Sequence, residues 1–168
     1  RLAALPDPER PLQAVLLAGL FSLAAGYLNW AICLVACALF LPFIVRRNPR
    51  ADVRVLIASS YLGIGTLWHG GLSASAPLIL ATPGTPLLSP ASGAPLVDRL
   101  YPVTETLFSA FNLGYIAIVS AVALACIMAL HPRKGAVSLS PAPVEAILPR
   151  APADEPGADT PAGRLDGL

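Results

Sequence analysis

The chain has 168 residues, of which 55% are hydrophobic and only 12% are charged, and its mean hydropathy is +0.68. Soluble domains carry about 25% charged residues, so this composition excludes an ordinary soluble domain and indicates an integral membrane protein. The formal net charge is +1, and no basic patch with interleaved aromatic residues is present. We therefore expect no nucleic-acid partner.

The charged residues are segregated along the chain. Three long stretches contain no Asp, Glu, Lys or Arg: Pro11–Val45, Val55–Val97 and Thr106–Leu130. Each is long enough for a membrane-spanning helix of about 20 residues. The sequence predicts an all-α, multi-pass membrane domain over residues 1–134 that contacts the lipid bilayer. Residues 135–168 are rich in Pro and Ala without apolar periodicity, which is typical of a disordered tail or inter-domain loop.

The first apolar stretch, Pro11–Val45, is too long for one crossing. As a single helix it would measure about 52 Å, against a hydrocarbon core of about 30 Å. Its middle, Gly26–Trp30, supplies a glycine, an amide and two aromatic residues. We predict two helical arms joined there. They form either a re-entrant hairpin, with Asn29 at its tip inside the membrane, or two full spans.

Basic residues set the predicted orientation. Arg10, the Arg46–Arg54 cluster and Arg133-Lys134 follow or precede apolar stretches, whereas the loop Pro83–Tyr101 carries Arg99 alone among basic residues. Loops rich in Lys and Arg face the cytoplasm. Both ends of the first stretch are therefore predicted to be cytoplasmic.

The second apolar stretch is predicted to be a broken transmembrane helix. Within Val55–Ala81, the residues from His69 to Ser75 include two adjacent glycines and two serines, and Pro77 follows. Broken helices at membrane depth occur where protein or a water-filled cavity satisfies the freed backbone groups. Such breaks form substrate and ion sites in secondary transporters. We predict that the helix restarts at Pro77 with Ser75 as its cap.

The break offers ligands for both an anion and a cation. Backbone carbonyls near Gly70 and Gly71 would suit Na⁺, and the free N–H groups of the restarting helix would suit a carboxylate. Ser73 and Ser75 add hydroxyl groups that could bind either ion. We predict no metal site with side-chain ligands and no cofactor, with Na⁺ or H⁺ as the coupling ion.

Three more polar residues lie in apolar segments. His69 is a candidate for proton coupling or carboxylate binding, or it is neutral and fixes the bend. Asn29 could approach the break from the opposite side. Asn112 lies in the last helix, predicted to run from a Thr104 cap with Glu105 at its positive end to Leu130, and it either binds substrate or joins helices. The candidate substrate and ion site comprises Asn29, Trp68, His69, Gly70, Gly71, Ser73, Ser75, Pro77 and Asn112.

The sequence also bears on two other classes of function. The glycines and serines could be packing surfaces of a structural subunit in a membrane complex. An intramembrane enzyme is disfavoured, because Gly71–Ser75 lacks the final glycine of a GxSxG motif and no acid–base partner is evident. Cys33 and Cys37 share a helix face but have no neighbouring His, Asp or Glu, so they are interpreted as packing residues.

The chain resembles the short-chain fatty acid transporter family, the bacterial permeases for butyrate and acetoacetate-type acids. The resemblance is carried, in order, by Asn29-Trp30, Tyr61-Leu-Gly63, Trp68-His-Gly-Gly-Leu-Ser-Ala-Ser-Ala-Pro-Leu78, Ala81-Thr-Pro-Gly84 and Thr104-Glu-Thr-Leu-Phe-Ser-Ala-Phe-Asn112. The family has Ser-Gly-Ser where this chain has Ser73-Ala74-Ser75. Some members have glycine in place of His69.

The resemblance implies secondary transport of short-chain monocarboxylates across the bacterial cytoplasmic (inner) membrane, driven by a cation gradient and without covalent chemistry. It also implies an inverted-repeat carrier with a hairpin and a broken helix in each half. This chain would supply one repeat, residues 135–168 would begin the inter-repeat loop, and the second repeat would be its partner. A homo-oligomer stays open. A carrier of another organic anion is the alternative, although a dicarboxylate would require two positive anchors that the membrane segments lack.

Overall fold

The computed structural model describes residues 2–84, 92–97 and 99–139, and within these ranges the regular structure is helical. Three of the helices are long and apolar enough to cross a membrane, namely the first, second and last α-helices. The predicted all-α membrane architecture is therefore confirmed. The α-helices are α1 (Pro11–Leu28), α2 (Trp30–Arg47), α3 (Val53–Ser60), α4 (Ser75–Ala81) and α5 (Ala110–Ala129).

Helices α1 and α2 form the predicted hairpin around a single residue, Asn29. Its backbone is extended, with φ −161° and ψ 132°, and its side-chain oxygen accepts hydrogen bonds from the N–H groups of Ala31 and Ile32. The arms run back along each other, with the rings of Phe21 and Phe40 4.5 Å apart. Each arm has 18 residues, or about 27 Å at about 1.5 Å per residue. The two-span arrangement therefore fits this hairpin as well as the re-entrant one.

The charged end of the molecule gathers the start of α1, the end of α2, the start of α3 and the end of α5. Asp52, whose side chain is inaccessible, caps α3 by accepting hydrogen bonds from the N–H groups of Arg54 and Val55. Its second oxygen accepts a hydrogen bond from the N–H of Val137, and its own N–H donates to Nε2 of His131. Side-chain hydrogen bonds from Arg54, together with these N–H donors, hold the pKa of the Asp52 carboxyl well below its usual range.

The same contacts fix the first residues of the predicted tail. The N–H of Val53 donates to the carbonyl of Val137 at 2.9 Å, so the chain after α5 returns to the start of α3. Residues 140–168 lie outside the described part of the chain, and the boundary at residue 134 stays a prediction.

The predicted broken helix is confirmed, but its irregularity begins earlier than predicted. Regular α-helix ends at Ser60, a π-helical turn follows at Gly63–Leu67, and a 3₁₀ turn at Trp68–Gly70 leads to an extended Gly71. Helix α4 then begins at Ser75. The break thus spans several kinds of backbone rather than one interruption between two regular half-helices.

A serine of α1 supports the π-helical turn. The Ser22 hydroxyl donates to the carbonyl of Ser60 at 2.8 Å and accepts from the N–H of Gly63 at 2.9 Å. Ser22 is completely buried, and a Cβ atom on Gly63 would lie only 1.9 Å from the Ser22 carbonyl oxygen. The turn can therefore approach α1 this closely only with glycine at position 63.

Helix α5 begins later than predicted. Its capping residue is Ser109, whose hydroxyl accepts a hydrogen bond from the N–H of Asn112, so the prediction that Thr104 caps this helix was wrong. Glu105 instead pairs with the Arg99 guanidinium at 2.8 Å. Arg99 lies before the turn at residues 103–108 and Glu105 lies within it, so this ion pair depends on the path of the loop and not on helix spacing.

Most of α5 is exposed. Two of its side chains, Ile116 and Ile127, are buried, while Phe111 and Ile118 are 83% and 67% exposed. An apolar surface of this kind is stable in contact with lipid or with further transmembrane helices.

Candidate functional site

The hairpin tip touches the break in the second segment. The N–H of Leu72 donates to the carbonyl of Tyr27 at 2.7 Å, and the N–H of Trp30 donates to Ser73 Oγ at 3.1 Å. The residues on either side of Asn29 therefore contact the break, whereas the side-chain oxygen of Asn29 caps α2. The break and the tip form one structural unit, about 27 Å along α1 from the charged end.

Helix α5 contacts the break from another side. Asn112 donates through Nδ2 to the carbonyl of Gly70 at 3.1 Å and to that of Leu107 at 2.7 Å. The amide thus links α5 to the break, in agreement with the helix-joining alternative that the sequence predicts. Its role in ligand binding stays a prediction.

The two adjacent glycines allow both contacts. A Cβ atom on Gly70 would lie 2.6 Å from Cγ2 of Ile116, and one on Gly71 would lie 2.6 Å from the Tyr27 carbonyl oxygen. Gly70 and Gly71 are both buried. Side chains at these positions would therefore push the break away from α5 and from the hairpin tip.

The carbonyl groups predicted to bind a cation already accept hydrogen bonds. Besides the Asn112 contact at Gly70, the Gly71 carbonyl accepts the N–H of Ala74 at 3.1 Å, and the Trp68 carbonyl accepts the N–H of Gly71 at 3.2 Å. A carbonyl oxygen has two lone pairs, so each retains one. Na⁺ binding at Gly70 and Gly71 stays a prediction.

Three aromatic rings lie together beside the break. The Trp68 ring stacks on His69 at 4.5 Å and lies 6.3 Å from the Trp30 ring. Trp68 Nε1 is buried, and it has no hydrogen-bond partner among the described residues. His69 is exposed. A buried donor without a partner is uncommon and costs about 1–3 kcal/mol, so it is a candidate ligand-binding group.

Ser75 and Pro77 lie on α4, on the far side of the break. The prediction that Ser75 caps a helix beginning at Pro77 was wrong, because α4 begins at Ser75 itself and Ala74 precedes it without a side-chain cap. Proline fits because the N–H groups of the first helical turn have no partner within the helix. Helix α4 has no buried residue. It is therefore less closely packed than the Gly70–Ser73 segment.

Two cavities lie away from these residues. One, of about 310 Å³, is an apolar groove between α2 and α3, lined among others by Leu34, Leu41, Ile57 and Leu139. The other, of about 830 Å³, lies at the charged end, between the start of α1 and the end of α5. Within the described residues, no cluster of three His, Cys, Asp or Glu side chains could hold a metal ion.

Sequence reasoning missed Ser22 and Tyr27. Ser22 was detectable in principle as a hydroxyl within an apolar run, but its partner, the Gly63 N–H, lies 41 residues further along the chain. Tyr27 contributes a backbone carbonyl, which any residue type provides. The sequence contains no local signal for such a contact.

The comparisons with known proteins that give a match agree on one family. The sequence model of a family described as short chain fatty acid transporter matches residues 1–144. A relative from Escherichia coli (strain K12) is 41% identical over 105 residues, which cover 62% of this chain and 22% of that protein. One from Haemophilus influenzae is 35% identical over 105 residues, covering 62% and 23% respectively. Both carry the provisional name short-chain fatty acid transporter. No solved structure matches.

The matched region is short relative to those proteins. It spans about a fifth of their length, 22% and 23%. The separate family-model match, over residues 1–144, covers the hairpin, the break and α5.

Proposed function

Because this chain belongs to the short-chain fatty acid transporter family, we propose that the whole protein carries short-chain monocarboxylates, such as butyrate or acetoacetate, across the bacterial cytoplasmic membrane. The proposal includes secondary transport by alternating access, coupled to a Na⁺ or H⁺ gradient, without covalent chemistry. The observation that supports it most is the junction of the hairpin tip with the break, at Tyr27–Leu72 and Trp30–Ser73.

Neutral donors at this junction would bind the carboxylate. The Ser73 hydroxyl accepts the N–H of Trp30, which occupies one lone pair and leaves its proton to donate. The Trp68 indole N–H, buried and without a partner among the described residues, is a second donor. Two neutral donors suit a ligand with one negative charge, because a second carboxylate would require a cationic anchor. The acyl chain would lie against the rings of Trp30 and Trp68.

The coupling cation would bind on the backbone side of the break. Unwound carbonyls coordinate Na⁺ in transporters with broken helices. The Gly70 and Gly71 carbonyls each retain a lone pair and belong to the same turn. Binding of Na⁺ there would reduce the negative potential that the carboxylate meets. His69, which is exposed, is the alternative group for H⁺ coupling.

One observation favours a second candidate, a purely structural break. The clashes that a Cβ atom would create at Gly70 and Gly71 show that both glycines are needed for packing. If packing is their whole role, larger residues there abolish assembly, whereas loss of the Ser73 hydroxyl leaves transport unchanged. The two candidates therefore differ at Ser73.

The test is uptake of labelled butyrate into proteoliposomes containing the full-length protein, with Na⁺ and H⁺ gradients imposed separately. We expect accumulation under one gradient and at least a tenfold loss of initial rate in Ser73→Ala, which corresponds to about 1.4 kcal/mol. Ser120→Ala is the matched control, because that hydroxyl donates to the Ile116 carbonyl within α5. Accumulation under neither gradient, with folded protein, would contradict the fatty-acid assignment.

A further inference from the structure

The larger cavity, at the charged end, combines cations with an apolar wall. Its volume is about 830 Å³, within the range of about 300–1,000 Å³ that is typical of small-molecule sites. One side is the start of α1 and the residues before it, and the other is the end of α5 and the residues after it. The lining includes Arg10, His131 and Arg133 beside Leu12 and Met128.

The acidic groups nearby do not neutralise this cavity. Glu9, which also lines it, is paired with Arg50 on the neighbouring loop. Arg10 lies 3.6 Å from Asp7, but both side chains are largely exposed, at 72% and 46%. An exposed pair at this distance is weak and exchanges readily for a better anion. Arg133 adds a second guanidinium from the opposite wall.

The apolar wall determines the kind of anion. Leu12 and Met128 belong to α1 and α5, both of which are long and apolar enough to cross a membrane. A ligand that fills the cavity therefore meets guanidinium groups beside the helix ends and apolar side chains in the first turn of α1 and the last turn of α5. A soluble anion can pair only with the guanidinium groups. A phospholipid can contact both surfaces, with its phosphate at the arginines and its acyl chains along the helices.

We propose that this cavity is a binding site for an anionic phospholipid, with Arg10 and Arg133 clamping the phosphodiester between α1 and α5. Guanidinium groups bind phosphate oxygens in a bidentate manner. Basic pockets between transmembrane helices on the cytoplasmic side bind anionic headgroups, and the basic residues place this end there. The bound lipid joins the ends of α1 and α5, whose residues Ala14, Val15 and Ile127 already belong to one hydrophobic core cluster.

The proposal is independent of the transported substrate, so its test uses lipid binding. Delipidated full-length protein in neutral detergent is titrated with fluorescent phosphatidylglycerol at physiological ionic strength. Phosphatidylcholine with the same acyl chains and inorganic phosphate in excess are the competitors. Arg10→Gln and Arg133→Gln are each expected to weaken binding about fivefold, from about 1 kcal/mol per basic residue. Arg47→Gln is the control, because Arg47 is exposed at the same end but does not line the cavity.

We expect phosphatidylglycerol to bind more tightly than phosphatidylcholine, because the choline cation is repelled by the guanidinium groups although both lipids carry a phosphodiester. We also expect inorganic phosphate to leave phosphatidylglycerol bound, and Arg47→Gln to leave its affinity unchanged. Three results would each overturn the proposal. Equal weakening in Arg47→Gln would indicate general surface charge. Displacement by inorganic phosphate would indicate a soluble anion as the ligand. Equal binding of phosphatidylcholine would indicate that the headgroup is not recognised.

Discussion

Replacing Gly63 with alanine tests the link between α1 and the broken helix. The new Cβ would lie 1.9 Å from the Ser22 carbonyl oxygen and 2.6 Å from its carbon, whereas real Cβ contacts are at least 3.0 Å. Both partners are backbone atoms and cannot rotate away. The π-helical turn must therefore move from α1 by about 1.1 Å, the difference between 3.0 and 1.9 Å. The hydrogen bond from Gly63 N–H to Ser22 Oγ, now 2.9 Å, would then be lost.

The cost of Gly63→Ala follows from these two effects. Overpacking of a well-packed site costs about 1–3 kcal/mol, and a buried hydrogen bond left with unpaired groups costs about 1–3 kcal/mol. We expect the free energy of unfolding to fall by about 2–6 kcal/mol. Gly65→Ala, in the same turn, is the matched control, because a Cβ there has nothing within 4 Å. It should be neutral or stabilising by up to about 1 kcal/mol.

The assay is unfolding of the full-length protein in mixed micelles by increasing mole fraction of SDS, followed by circular dichroism. Both variants add the same methyl group within the same turn, so the effect of helix propensity cancels when they are compared. The remaining difference reports the contact of position 63 with α1. A difference between Gly63→Ala and Gly65→Ala smaller than about 1 kcal/mol would refute the reasoning, because it would mean that α1 and the turn are not in close contact.

Three further perturbations have defined outcomes. Ser22→Ala should lower the free energy of unfolding by about 1–3 kcal/mol, since it leaves the Ser60 carbonyl and Gly63 N–H unpaired. A decrease no larger than that caused by Ser120→Ala in the same unfolding assay would contradict this. The depressed pKa of Asp52 contributes stability that is full above the unfolded value of about 3.9 and is lost as the pH falls through the lower folded value. Acid unfolding curves should therefore lose that contribution below about pH 4 in the wild type but not in Asp52→Asn, and identical pH dependence would exclude it. Asn112→Leu should cost about 1–3 kcal/mol by leaving the Gly70 carbonyl unpaired, and unchanged thermal stability would argue against that contact.

The sequence predicted the hairpin and the break because both have local signals. Asn29 lies in the middle of a stretch too long to cross once, and the adjacent Gly70 and Gly71 disfavour a continuous helix from Val55 to Ala81. The side-chain oxygen of Asn29 caps the second arm, which makes a one-residue junction possible. These features depend on chain length, backbone entropy and capping, all of which are readable from neighbouring residues.

The details that failed depend on distant contacts. When a helix is apolar on every side, the pattern of hydrophobic residues does not show which residues share a face. The π-helical turn at Gly63–Leu67 therefore could not be detected from the sequence. Ser75 is predicted to cap the restarting helix, but α4 begins at Ser75 itself, and the Ser73 hydroxyl accepts the Trp30 N–H from the hairpin tip. Thr104 and Ser109 are both good capping residues, but the structure uses Ser109 as the cap of α5. Glu105, beside Thr104, pairs with Arg99 instead of lying at the helix N-terminus.

The most direct test of the proposed substrate site is protection of a cysteine at position 72, which lies at the junction and leaves both proposed donors, Ser73 and Trp68, in place. In full-length protein with exposed cysteines replaced, including Cys126, Leu72→Cys is labelled with a maleimide in the presence and absence of butyrate; the Leu72 side chain is 39% exposed. Arg47→Cys, exposed at the charged end, is the control. We predict that butyrate, with its coupling ion present, slows labelling at position 72 several-fold and leaves position 47 unchanged. Equal labelling rates at position 72 with and without butyrate would contradict a substrate site where the hairpin tip meets the break.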